Sequence, residues 1–104
     1  MARFDVYENP NPATREAVPY LLDIQADLLD NLATRVVIPL VNASAMGRAA
    51  RFLNPQLVVN NKQLVMSTAE LAGVPVATLG EKVSTLKERQ DEVIAALDFL
   101  FSGF

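Results

Sequence analysis

Alternation of apolar and polar positions with a period of two governs the chain as far as Leu79, and a spacing of three and four replaces it from Leu86 to the end. The first period is that of half-buried strands, the second that of a helix with one buried face. Arg3 to Tyr7, with Phe4 and Val6 on one side, reads as a first strand. Prolines and asparagines between Glu8 and Glu16 then predict a loop, expected to be mobile, because proline gives no ladder donor and asparagine favours turns. Tyr20 to Gln25 resumes the alternation, with Tyr20, Leu22 and Ile24 inward and Asp23 and Gln25 outward. Pro19 suits an edge or the first position of a strand.

Leu28 and Leu29, set between Asp27 and Asp30, fit a helical turn, a bulge or a loop presenting two leucines. Arg35 to Val41 reads as a short buried strand in which Pro39 implies a bulge or an edge. Asn42 to Leu53 fits a short helix and a long connection equally well. Leu57 to Val59 and Gln63 to Thr68, joined through Asn60, Asn61 and Lys62, make the clearest hairpin, since asparagine tolerates the positive φ that such turns need. Thr68 to Gly73 reads as one helical turn and Val74 to Leu79 as a strand ending at Gly80.

The terminal helix is expected over about 85–102. Leu86, Val93, Ile94, Leu97, Leu100 and Phe101, with Ala96 beside them, form its apolar stripe, so Phe101 is expected to face inward. Thr85 and Glu88 have the spacing of a capping box, with Val83 as a hydrophobic staple. Gly103 can take the left-handed cap conformation, which leaves Phe104 either tucked into its own domain or offered to a partner. Asp98 sits in the last turn, where the helix dipole disfavours an anion by about 0.3–1 kcal/mol. A cationic partner would relieve that, and salt screening would account for it nearly as well. Short strands followed by one helix predict a mainly β domain: a small twisted antiparallel sheet or barrel, with the helix covering one open face.

With 104 residues the chain makes one domain near the low end of what supports its own core, so oligomerisation is a reasonable source of stability. Absence of cysteine excludes disulfides and thiolate metal sites, and a cytoplasmic location is expected. Absence of histidine removes the commonest general base and metal ligand. A net charge of −3 argues against a broad phosphate-binding surface. No apolar run approaches the roughly 18 residues of a membrane span, and the opening residues do not read as a signal peptide.

No glycine-rich phosphate loop, zinc-ligand spacing or nucleophile elbow occurs. Asp23, Asp27 and Asp30 are the nearest thing to a constellation, but they lack the glycine and later glutamate of a calcium loop and read as solvated carboxylates. Arg35, beside Thr34 and following these acids, reads either as part of a ribonuclease-like charge pair or as a buried salt bridge orienting the loop, the commoner role of such pairs. Neither cofactor nor metal is expected.

Several separated motifs, in one order and at nearly constant spacing, make the chain resemble the CcdB family of bacterial toxins. They are Arg3-Phe4-Asp5-Val6-Tyr7, Asp23-Ile24-Gln25-Ala26-Asp27-Leu28-Leu29-Asp30, Arg35-Val36-Val37-Ile38-Pro39-Leu40, Ala72-Gly73-Val74-Pro75-Val76, and Phe101, Gly103 and Phe104 at the end. The proline-rich loop after Tyr7 is longer than the family's, and Asn42 to Leu53 is poorly matched.

The resemblance implies a single domain over 1–104 with an SH3-like barrel, a five-stranded antiparallel sheet plus a small second sheet and the C-terminal helix, a fold shared with certain toxin ribonucleases. It further implies a homodimer that binds the DNA gyrase A subunit, traps gyrase on cleaved DNA and catalyses nothing. Its antitoxin, with a disordered acidic tail, would free gyrase and, with the toxin, repress their operon, so that DNA is met only through gyrase or the antitoxin. Leu28, Leu29, Asp98, Phe101, Ser102, Gly103 and Phe104 fall at the gyrase-contacting positions. Arg15, Arg48 and Arg51 are candidate seats for the acidic tail. Ser102 departs from the tryptophan that the well-studied toxins carry for stacking on a partner arginine. Two other functions are therefore carried alongside: a toxin-fold dimer with weak or lost gyrase poisoning that acts in antitoxin binding and operon control, and a ribonuclease toxin using Arg35.

Overall fold

The computed structural model, which describes residues 1–103, hydrogen-bonds all its strands into one antiparallel sheet. These are β1 (Asp5–Glu8), β2 (Tyr20–Asp23), β3 (Thr34–Asn42), β4 (Gln56–Val59), β5 (Lys62–Met66), β6 (Ala72–Pro75) and β7 (Lys82–Thr85). Their order is β4-β5-β3-β2-β1-β7, with β6 pairing β3 off that path. Two helices complete the fold, α1 (Ala43–Met46) and α2 (Gln90–Ser102). The expected mainly β domain with one C-terminal helix is therefore present, but its strands are seven in one sheet rather than five plus a small second sheet.

The difference originates in β3. Its Thr34–Val37 half pairs with β6 and its Leu40–Asn42 end with β5, so one long strand joins what would otherwise be separate sheets. Pro39 sits between the two pairings. It stays in register with Leu21 of β2, while its carbonyl accepts the Ser67 amide at 3.0 Å on the other side. A strand residue directs its N–H and C=O to the same side, so the missing proline donor falls where β3 changes neighbours. The expected bulge or edge is thus a junction.

One sheet face supplies Val6, Leu22, Ile38, Leu40, Leu57, Val59, Leu64 and Met66 to the core, and Leu86, Val93 and Ala96 close it from the helical side. Each fully buried Leu, Ile or Val stabilises the fold by about 1.5–3 kcal/mol. The β4–β5 hairpin turns through Asn60 at φ 51° and Asn61 at φ 64°, the paired left-handed conformation that its asparagines predict. The turn expected after Thr68 is a 3₁₀ turn at Thr68–Glu70, and the open question over Asn42 to Leu53 resolves into the single turn of α1 followed by a connection.

Three expectations require correction. Thr85 ends β7, opposite Asp5, and α2 begins five residues later after a 3₁₀ turn at Lys87–Arg89, so no capping box forms with Glu88. Arg89 fastens the helix start instead, donating to Glu92 at 2.5 and 2.8 Å and to the Gln56 carbonyl at 3.1 Å. The strand expected at Val74 to Leu79 is divided between the end of β6 and a 3₁₀ turn at Val76–Thr78, and the strand that follows is β7. Asp23 and Gln25 are buried rather than outward. The expected loop after Tyr7 is closed at its neck by the Asn9 amide on the Pro19 carbonyl at 3.0 Å and carries internal bonds from Asn9 to Thr14 and Val18.

Candidate functional site

The chain leaves β2 at Asp23 and rejoins the sheet at Thr34, making a 3₁₀ turn at Asp27–Leu29 on the way. Leu28 is 95% exposed and Leu29 47% exposed there, with Leu32 just beyond at 46%. The turn that holds these leucines out is itself held from outside by three other parts of the chain. Gln25 donates to the Leu29 carbonyl at 2.8 Å while accepting the Val36 amide at 3.0 Å. The Arg3 amide donates to the Asp27 carboxylate at 2.8 Å, and Arg35 reaches Asp30 at 3.0 Å.

Arg35 is the anchor of this arrangement. Its side chain is fully buried, with Nε 2.9 Å and Nη2 2.6 Å from the same Asp23 oxygen, while Nη1 faces Asp30. The Nη2 approach is close enough for charge attraction but lies off the axis that a hydrogen bond needs. The other Asp23 oxygen accepts the Gln25 amide at 2.9 Å. Burial pushes the Asp23 carboxyl above the usual carboxylate range, and the Arg35 and Gln25 hydrogen bonds act against that rise. Nearby, Tyr7 is pushed up to about 12, first by burial and then by Asp5, whose carboxylate stands 3.4 Å from its hydroxyl. Asp5 also takes the Ala2 amide at 3.0 Å and faces Lys82 at 3.4 Å.

The three aspartates singled out in the sequence therefore each have a protein partner. Among the described residues no group of three or more acids could hold a metal ion, and no helix is long and apolar enough to cross a membrane. Arg35, weighed as a reactive group, is the buried salt bridge of the two readings.

The second patch is the end of α2. Phe101, expected inward, is 73% exposed. Apolar helix residues packed on the core end at Leu97, and Phe101 stands one turn later, about 80° round the helix from Val93 at roughly 100° per residue. Asp98 and Ser102 are exposed beside it. Gly103 has φ 82° and caps the helix by donating its amide to the Phe99 carbonyl at 2.9 Å. A methyl there would meet nothing within 4 Å, so glycine is needed for its backbone angle and not for space. Phe104, the expected terminal anchor, lies outside the described residues.

Leu28 and Leu29 thus share one turn, and Asp98, Phe101, Ser102 and Gly103 share one helix end. Among the short turns, α2 packs mainly on Thr68–Glu70 and Lys87–Arg89. Arg15, Arg48 and Arg51 are exposed, Arg51 lying 5.2 Å from the centre of the Phe52 ring. Arg15 also lines a cleft of about 360 Å³ with Glu8, Pro19, Tyr20 and Lys62. Gln25, which sequence reasoning placed in solvent, proves to be the residue that ties the leucine turn to β3. The available signal was that Asp23 and Gln25 share a face in a period of two, with one arginine on the next strand to neutralise it.

The family model for CcdB protein matches residues 3–103. Among solved structures, one described as an endoribonuclease in complex with its cognate antitoxin, from Mycobacterial species, is similar with a TM-score of 0.73 and 12% sequence identity, covering 94% of this chain and 91% of that chain. At that identity the likeness speaks for the fold.

Proposed function

This chain belongs to the CcdB family, and from that premise we propose that it is the toxin of a type II toxin–antitoxin system, acting as a homodimer that binds the DNA gyrase A subunit and holds gyrase on cleaved DNA. The observation that carries the reading is Leu28, 95% exposed on a turn braced from three directions. An apolar side chain offered on a fixed support suits recognition, because little order remains to be imposed on binding. Phe101 and Ser102 at the helix end supply the second contact, and two-fold symmetry would duplicate both patches against a two-fold partner. The protein acts by binding and performs no reaction. It works in the cytoplasm, and an antitoxin with an acidic tail, seated on Arg15, Arg48 and Arg51, neutralises it and joins it in operon control.

Burial of Arg35 between Asp23 and Asp30 weighs against the ribonuclease reading, since a guanidinium with no exposed surface cannot reach a phosphodiester. Exposed Ser102 favours the reading in which gyrase poisoning is weakened, because serine offers no ring to stack on an arginine. Gyrase-mediated DNA cleavage is the test, run with the full chain and with residues 102–104 deleted. Accumulation of cleaved DNA with the full chain and its loss on deletion are expected. Equal behaviour of the two proteins, with both folded, would overturn the proposal.

A further inference from the structure

Gln25 occupies an unusual place in the sheet. The β2–β3 ladder has its last strand pair at Asp23 and Val37, and one more backbone bond follows from the Ile24 amide to the Val36 carbonyl at 3.0 Å. The main chain then leaves the sheet, and the Gln25 side chain continues the ladder in its stead. Its carbonyl oxygen accepts the Val36 amide at 3.0 Å and its NH₂ donates to the Leu29 carbonyl at 2.8 Å. A side-chain amide is the one common group that supplies a donor and an acceptor with the geometry of a peptide unit. Gln25 is only 6% exposed, and both bonds are partly buried.

Leu28, by contrast, has almost no contacts of its own to fix it. Its position is set by the backbone of the turn, which closes locally through the Leu29 amide on Ala26 at 2.9 Å and the Asp30 amide on Asp27 at 3.1 Å. Those bonds shape the turn without orienting it on the sheet. Orientation comes from the outside braces, and among these the Gln25 bond alone grips the backbone of a leucine, while the others grip the Asp27 and Asp30 side chains.

We propose that Gln25 is a positioning residue, whose amide presets the Leu28–Leu29 turn on β3 for docking to the partner. The docking clause rests on the function proposed above, whereas the presetting of the turn stands by itself. Ordering a loose turn at the moment of binding would cost affinity, and a turn ordered beforehand avoids that cost.

The test has two arms. In the first, amide relaxation and hydrogen exchange are compared in the wild-type protein, Gln25→Met and Gln25→Glu. Methionine keeps the length and loses both bonds; it is expected to raise mobility at Leu28 to Leu32 while Leu22 and Ile38 stay protected. Glutamate keeps the acceptor for Val36, and its ionised form sets an oxygen against the Leu29 carbonyl. Mobility in Gln25→Glu should therefore be high at alkaline pH, where the carboxylate is ionised, and fall towards wild type on acidification. The change should come above the ordinary glutamate value of about 4.3, because burial and the facing Leu29 carbonyl both disfavour the charge, and below it the carboxyl regains a donor. A merely space-filling role would give no such pH reversal.

In the second arm, affinity for the purified gyrase A subunit is measured for Gln25→Met in the wild-type and Leu28→Ala backgrounds. A loss of about tenfold is expected in the first and less than twofold in the second, because a preset turn has value only when Leu28 is there to present. Equal losses in both backgrounds would overturn the positioning role, as would unchanged mobility of the turn in Gln25→Met. Wild-type protein that fails to bind the subunit would defeat the docking clause, leaving the presetting of the turn to be decided by the first arm.

Discussion

Arg35 and Asp23 meet inside the protein at 2.6 Å from Nη2 and 2.9 Å from Nε, with neither side chain touching solvent. An ion pair so placed gives up hydration on both sides, and removing one partner leaves the other charge without compensation. Asp23→Ala or Arg35→Ala should each cost about 3–5 kcal/mol. Replacing both, as Asp23→Leu with Arg35→Met, should recover most of that loss, since Asp30 is 51% exposed and can be solvated by water. Urea denaturation of the two single variants and the double variant measures this. A double variant as unstable as the singles would show that shape, rather than unpaired charge, sets the cost.

Tyr7 gives the fold an alkaline limit. Its hydroxyl is pushed up to about 12 from an ordinary 10.0, so below pH 10 its stabilising contribution is fully present. As pH rises from about 10 to about 12, the unfolded chain releases the phenolic proton before the folded chain does, and about 2–3 kcal/mol of stability drains away. Tyr7→Phe should remove this part of the slope. Comparing the urea midpoints of the two proteins near pH 8 and near pH 11 isolates the effect from other groups that titrate at high pH.

Gly80 lies against β1, where a methyl group would come within 2.7 Å of the Glu8 carbonyl oxygen and 2.9 Å of the Glu8 Cβ. The same neighbours exchange the Gly80 amide with the Glu8 carbonyl at 3.0 Å, so the backbones cannot part without losing a hydrogen bond. Gly80→Ala should destabilise by about 1–3 kcal/mol, the usual cost of overpacking. Gly73→Ala, whose added methyl meets nothing within 4 Å, should stay within about 0.5 kcal/mol of wild type. Thermal or urea unfolding of the pair settles the comparison.

What could be read from the chain alone follows from which signals are local. The Asn60-Asn61 hairpin was legible because its turn chemistry is contained in two residues. So was the α2 stripe, since Val93, Ala96 and Leu97 keep the helical period. Thr85 misled because a capping-box spacing is equally compatible with a strand end, and its pairing with Asp5 depends on a segment eighty residues away. Asp23 and Gln25 misled for a related reason. Polar residues alternating with Leu22 and Ile24 ordinarily face water, and only Arg35 on the next strand makes the inward placement tolerable. At the candidate site, Leu28 and Leu29 fitted a helical turn, a bulge or a loop, and only contacts between distant segments, which are not written locally, decide that they stand on a braced 3₁₀ turn. Phe101 was assigned inward because periodicity marks a face of a helix but does not say where along it the core ends.

Phe101 separates stability from recognition. At 73% exposure it packs little, so Phe101→Ala should change unfolding free energy by less than about 1 kcal/mol. If the helix end docks on gyrase, the same change should weaken binding about tenfold or more, as truncation of an aromatic anchor does. Val93→Ala, buried at 0% exposure, should show the opposite pattern, with reduced stability and unchanged affinity in the protein that remains folded. Titration calorimetry against the gyrase A subunit, beside urea unfolding, distinguishes the two. Parallel losses in both measurements for Phe101→Ala would place its role in the fold.

Ser102 offers a gain-of-function test at the same helix end. It is exposed in the last turn of α2, next to the Gly103 cap, so a larger side chain there meets solvent and should leave stability within about 0.5 kcal/mol of wild type. A tryptophan ring at this position could stack on a partner guanidinium for about 0.5–2 kcal/mol, which at 1.4 kcal/mol per decade is up to about a thirtyfold gain in affinity. Ser102→Trp should therefore bind the gyrase A subunit more tightly and slow growth more strongly when expressed without an antitoxin. Ser102→Leu is the control, adding apolar area without an aromatic face, and should recover only part of the gain. Unchanged binding in Ser102→Trp, with the protein folded, would mean that this helix end does not meet an arginine of gyrase.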